Sequence, residues 1–172
     1  MALIMANGRA GGETIKEGSS LSGAFREALN CLCVHLAREV ARDGEGATKL
    51  IEVTVKGAAS QADARLIART IVRSPLVKTA IHGSDPNWGR VITAAGYSGA
   101  GLDADKLDLE IGGLLLVKNG CPVDFKHTDV VKVLDGSEVS ITLSLNLGSN
   151  QAVAWGCDMS EEYVTINSEY TT

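Results

Sequence analysis

An acid set between two glycines is the first point in this chain where residue type and spacing can do chemistry. Glu45 stands in RDGEGATK, residues 42–49, where a predicted helix gives way to a predicted strand. Flanking glycines let the backbone take positive φ and approach a ligand closely. A carboxylate presented in this way is suited to pairing with an ammonium group, and Thr48 and Lys49 follow at once. The same residues also suit a helix C-terminal turn that carries a solvated acid. A second group is His82, Asp85, Asn87 and Arg90, gathered with Trp88 in HGSDPNWGR. His beside Asp is acid–base material. No Ser or Cys in a nucleophile turn accompanies it, however, and Asp85-Pro86-Asn87 is sufficient as turn chemistry, so the structural reading is preferred.

The third group is the carboxyl end, the last nineteen residues from Ala154 to Thr172. Trp155, Tyr163, Val164, Ile166 and Tyr170 give it the apolar density of a core element. Asp158, Thr165, Asn167, Glu169, Thr171 and Thr172 are interleaved with them. Ser160 is a good N-cap, and Glu161 and Glu162 fall in a first turn, where a helix favours negative charge. A short capped helix followed by an ordered tail is predicted. Such a tail can help build a site, and it can equally be a docked helix whose polar groups are solvated.

Other chemistries find little support. NGRAGG has glycines but neither the Lys-Ser/Thr pair nor the strand–helix context of a phosphate loop. Three scattered histidines offer no metal-ligand spacing, so no metal and no cofactor is expected. The net charge of −5 and the lack of a basic cluster make nucleic acid and anionic membrane poor partners. Cys31, Cys33, Cys121 and Cys157 form no paired C-x-x-C set and read as free, mostly buried thiols in a reducing cytosol. Cys157 beside Asp158 reads as a small core hydrophobe. No apolar run approaches a membrane span and no targeting segment is visible, which gives a cytoplasmic expectation.

These groups need elements to hold them. MALIMANG reads as the second half of a strand entering a turn at Asn7-Gly8, as though chain were missing upstream. Leu21 to Val40 repeats apolar residues at helical spacing, and Asp43-Gly44 ends that helix. KLIEVTVKG alternates as a half-buried strand. Ser60 caps a second helix that Pro75 stops. LVKTAIHG is predicted as a strand, SDPNWGR as a loop, and Val91 to Gly96 as a short helix. From Leu107 the texture changes to short strands, KLDLEI, LLLVKNG, VSITLSLNLG and QAVAWGC, joined by Gly- and Asn-rich turns of hairpin type. The fold class expected is α+β, antiparallel sheet with packed helices, in one domain over 1–172 that allows two lobes at 1–105 and 106–172.

Several blocks then match a known family in fixed order. MANGRAG, RDGEGATKLIEVTVKGAAS, SPLVKTAIHG, DPNWGR, AAGYSGA, NGCPV, AWGCDMS and the closing EYTT together resemble the ornithine acetyltransferase family. These are the bifunctional glutamate N-acetyltransferases and amino-acid acetyltransferases of arginine biosynthesis, and the resemblance runs from end to end of this chain. It implies the later part of a β chain within a larger αββα sandwich. Family members cut themselves into α and β chains, and the new N-terminal Thr of the β chain is the nucleophile. That hydroxyl takes acetyl from N-acetylornithine and passes it to glutamate, and acetyl-CoA is a further donor that the resemblance admits. The resemblance places the nucleophile, the oxyanion donors and the α chain upstream of Met1, so no catalytic residue is assigned here and the chain alone is expected to be inactive. It carries over substrate binding to Glu45, Asn167 and Thr172, with Glu45 on an ammonium and the other two on a carboxylate or amide. It implies a hetero-oligomer of α and β chains and leaves His82 structural. The rival reading is a non-catalytic binding or assembly module that keeps the same fold.

Overall fold

The computed structural model describes residues 3–170, so Thr172, one of the three expected substrate contacts, lies outside the described residues. The elements in chain order are α1 (Ser20–Arg42), β1 (Leu50–Ala58), α2 (Gln61–Arg73), α3 (Pro75–His82) and α4 (Trp88–Gly96). There follow β2 (Asp108–Ile111), β3 (Leu114–Lys118), β4 (Cys121–Pro122), α5 (His127–Leu134), β5 (Glu138–Ser144), β6 (Asn150–Cys157) and α6 (Glu161–Glu169). The class is α+β, as expected.

The chain divides into two compact units, Met1–Leu36 and Ala37–Thr172, and α1 runs through the division. In the first unit, residues 3–6 form no strand, which corrects the half-strand expected there. A strand needs a ladder partner for its backbone groups, and none pairs with these residues. The Asn7-Gly8 turn does form: Gly8 has a φ of 71° and the Arg9 N–H donates to Asn7 Oδ1 at 3.1 Å. The helix of α1 is also as predicted, but Leu21, Phe25, Leu32 and Leu36 are all exposed. Helical spacing identified an amphipathic helix without identifying what its apolar face meets.

The second unit is built on one sheet in the order β4-β3-β2-β5-β1-β6. β1 lies between β5 and β6, so strands from both sides of residue 105 share it. β1 runs parallel to β5 and antiparallel to β6, which makes the sheet mixed where hairpin turns had suggested antiparallel pairing throughout. The alternation read in β1 and β5 is real. Ile51, Val53, Val55, Val139, Ile141 and Leu143 are buried, and they form one core with Ala64, Ile67, Ala68 and Ile71 of α2. Each such aliphatic side chain contributes roughly 1.5–3 kcal/mol by leaving water, and this core is the frame on which the polar ends of the strands are fixed. Ser60 caps α2 as predicted, its side chain accepting from the Asp63 N–H.

One element is of the wrong type in the sequence reading. LVKTAIHG is not a strand but most of α3. Pro75 stops α2 and then serves as the first residue of α3, a position where its missing N–H is no loss. Val77, Ala80 and Ile81 are the buried residues, which is helical and not alternating spacing. His82 therefore ends a helix instead of lying in a loop. The helix α5 and the short β4 were not foreseen.

Candidate functional site: the Glu45 turn and the Asn167 helix

Glu45 occupies a tight turn between α1 and β1, closed by the Ala47 N–H on the Gly44 carbonyl at 2.9 Å. The two flanking glycines act differently. Gly46 has a φ of +64°, and a Cβ there would lie 2.7 Å from the Tyr163 nitrogen and 2.9 Å from Ser160 Oγ. Gly44 is required for space alone, since its Cβ would stand 2.6 Å from Cys157 Sγ. The turn is thus a glycine turn because β6 and α6 press against it from outside.

α6 begins as the sequence implied. The Ser160 hydroxyl accepts from the Tyr163 N–H at 3.4 Å, as an N-cap does, and donates to the Gly46 carbonyl at 2.6 Å. One side chain therefore caps the helix and holds it to the Glu45 turn. The expected core character of this end is not met: Tyr163, Val164 and Tyr170 are exposed, and α6 buries no residue fully. It is held by polar contacts at its start and again at Asn167.

Two turns along α6, Asn167 meets Glu45. Asn167 Nδ2 donates to Glu45 Oε2 at 2.8 Å and to the Tyr163 carbonyl at 2.8 Å. Both partners are acceptors only, so the amide must present its nitrogen to them, and its orientation is fixed by chemistry. The hydrogen bond brings two of the three expected substrate contacts together at one place. The pair lies at the surface. A hollow of about 400 Å³ is lined by Gly44, Val72, Arg73, Lys78, Trp155 and Cys157 among others; it reaches the Glu45 turn at Gly44, and neither Glu45 nor Asn167 lines it.

The residue that sequence reasoning missed is Asp158. Its side chain is fully buried. It accepts from the Thr48 N–H at 2.8 Å, the Thr48 hydroxyl at 2.5 Å, the Lys49 N–H at 2.9 Å and His82 Nδ1 at 2.7 Å. Burial alone would push this carboxyl up; the hydrogen bonds from Thr48, His82 and Lys49 outweigh it and hold it below the usual carboxylate range. Asp158 thereby locks the residues after Glu45 to the residues before α6. In the sequence it was one polar group among several in the carboxyl end and the neighbour of Cys157, with no partner in view.

His82 is not paired with Asp85. Its Nδ1 faces Asp158 and its Nε2 lies 3.3 Å from Glu161 Oε2 in the first turn of α6. The Glu161 carboxyl sits below its ordinary range, through its own backbone N–H at the helix start and then through His82. Asp85, Asn87 and Arg90 explain themselves as turn chemistry: Asn87 Nδ2 donates to Asp85, while Arg90 reaches the Leu76 carbonyl at 3.0 Å. Lys49 does not stand beside Glu45 as a second charge. Its ammonium donates to the carbonyls of Ile81, His82 and Leu134 and to Ser84 Oγ, closing the C-terminal ends of α3 and α5.

The thiols are more accessible than expected. Cys31, Cys33 and Cys121 are exposed and Cys157 is half-buried, with Lys78 Nζ 3.8 Å from its sulfur. Among the described residues no group of His, Cys, Asp and Glu could hold a metal ion, and no helix is long and apolar enough to cross a membrane.

The ArgJ family model matches residues 1–172. The arginine biosynthesis bifunctional protein ArgJ of Symbiobacterium thermophilum is 51% identical over 172 residues, which are 100% of this chain and 43% of that protein. The protein of the same name from Oceanobacillus iheyensis is 47% identical over 172 residues, again 100% of this chain and 42% of that protein. The crystal structure of arginine biosynthesis bifunctional protein argJ from Bacillus halodurans superposes with a TM-score of 0.94 at 43% identity, covering 98% of this chain and 79% of that one. The chain thus spans less than half the length of the curated relatives it matches. With a family model matched along its whole length and a fold shared with a solved member, the chain belongs to the ArgJ family.

Proposed function

We propose that this chain forms a substrate-binding wall of an ornithine acetyltransferase, which moves acetyl from N-acetylornithine to glutamate in arginine biosynthesis. The observation that carries the reading is the hydrogen bond between Glu45 and Asn167, 122 residues apart in sequence, which brings the two residues to one place. N-acetylornithine retains one free ammonium, on its side chain, and that is the group the Glu45 carboxylate takes. In the full-length protein, a threonine hydroxyl from the part that the relatives carry beyond this chain attacks the acetyl carbonyl. The amide C–N bond breaks, ornithine leaves with the proton, and an acetyl-threonine ester remains. The amine of glutamate then attacks the ester, the C–O bond breaks, and the hydroxyl regains its proton.

The role of this chain in those steps is to fix the ligand. Holding an acyl donor in a reactive pose converts a bimolecular encounter into a positioned one. Thr172 is a further substrate contact that the family resemblance implies. The test is Glu45→Gln in the full-length protein, with KM for N-acetylornithine and the extent of self-cleavage both measured. KM is expected to rise by about 10- to 100-fold, the value of one charge-assisted hydrogen bond, while self-cleavage proceeds. An unchanged KM removes Glu45 from the site.

A further inference from the structure

His82 has no role in the reading above, yet it touches both halves of the site's support. Its imidazole stands at the C-terminal end of α3 with one ring nitrogen on Asp158 at 2.7 Å and the other on Glu161 at 3.3 Å. Asp158 holds the strand entry that follows Glu45; Glu161 opens the helix that carries Asn167. A neutral imidazole can donate from one nitrogen only, whereas an imidazolium donates from both. Only the protonated ring can therefore hydrogen-bond to the two carboxylates at once.

We infer that His82 is a positioning residue, a bridge from Asp158 to Glu161 that seats the Asn167 helix against the Glu45 turn. This rests on the reading that Glu45 and Asn167 together bind the substrate. The charged groups around the ring are few. Asp158 faces it from the link between β6 and α6, and Glu161 faces it from α6. Lys49, from the segment before β1, places its ammonium on the His82 backbone carbonyl at 3.3 Å and not on the ring. Lys78, one turn earlier on α3, is directed at Cys157.

Without the bridge the first turn of α6 loses a tether while Ser160 still caps it, so Asn167 is less firmly presented. Glu161 is 92% exposed in its side chain, so removing its charge leaves the buried Asp158 cluster in place.

The experiment compares the full-length protein with its Glu161→Gln and His82→Asn variants. His82→Asn retains a donor toward Asp158 and removes the reach to Glu161. KM and kcat for N-acetylornithine are followed together with amide exchange of α6. KM of both variants should exceed wild type by about three- to tenfold with kcat unchanged. Protection of α6 should fall in both variants. KM and α6 exchange equal to wild type in both, or a loss of kcat with KM unchanged, overturns the bridge. If Glu45→Gln still raises KM in that case, the substrate reading stands and only the role of His82 falls.

Discussion

The hydroxyl of Ser160 donates to the carbonyl of Gly46 at 2.6 Å, so the cap of the Asn167 helix is also the lock on the Glu45 turn. Ser160 is buried, and neither partner has solvent as an equal substitute. Ser160→Ala should therefore cost more than an ordinary cap, about 1–2 kcal/mol, and it should loosen the site as well as the helix. Denaturant midpoints give the first quantity, and the affinity for N-acetylornithine gives the second. A loss of stability with no change in affinity would separate the cap from the site.

Gly46 makes a sharper demand. Its φ of +64° disfavours any side chain, and the position of a Cβ is already filled by the Tyr163 nitrogen. Gly46→Ala should destabilise by about 1–3 kcal/mol and displace α6. Gly44→Ala should cost less, because its Cβ meets only the thiol of Cys157, a side-chain atom with a rotamer to spare. The ranking of the two variants in a thermal melt checks this directly.

Asp158 predicts an acid limb in the stability profile. Its carboxyl is held low by the hydrogen bonds it accepts, so the unfolded chain binds the proton more readily than the folded one. The stabilisation is fully present above the ordinary carboxyl range, near pH 4, and is lost as pH falls through the depressed folded value. Asp158→Asn should lower stability at neutral pH by about 2–4 kcal/mol and flatten the acid limb. Equal slopes for wild type and variant below about pH 4 would contradict the assignment.

The elements that hold the site were legible where the signal is local. The apolar alternation of β1, the Ser60 and Ser160 caps and the end of α1 at Asp43-Gly44 all read directly from neighbouring residues. α3 was misread because a short apolar run fits strand and helix alike, although Pro75 at its head was a usable helix signal. The parallel pairing of β1 with β5 joins segments far apart in the chain and has no local mark. Glu45 was marked by its flanking glycines and Asn167 by family resemblance, but the hydrogen bond between them, and the Tyr163 carbonyl that fixes the Asn167 amide, had no local mark. Asp158 and His82 were both noticed, but with the wrong neighbours, because the partners that define Asp158, namely Thr48, Lys49 and His82, lie 110, 109 and 76 residues away in the chain.

The central claim is that Glu45, steadied by Asn167, selects a ligand for its ammonium. The direct measurement compares N-acetylornithine with N-acetylnorvaline, which has the same carbon chain and no side-chain amine, as acetyl donors to the full-length protein. Wild type should prefer the amine-bearing donor by at least about tenfold in kcat/KM, and Glu45→Gln should lose most of that preference. A preference that survives in Glu45→Gln undiminished would place the ammonium elsewhere and contradict the account.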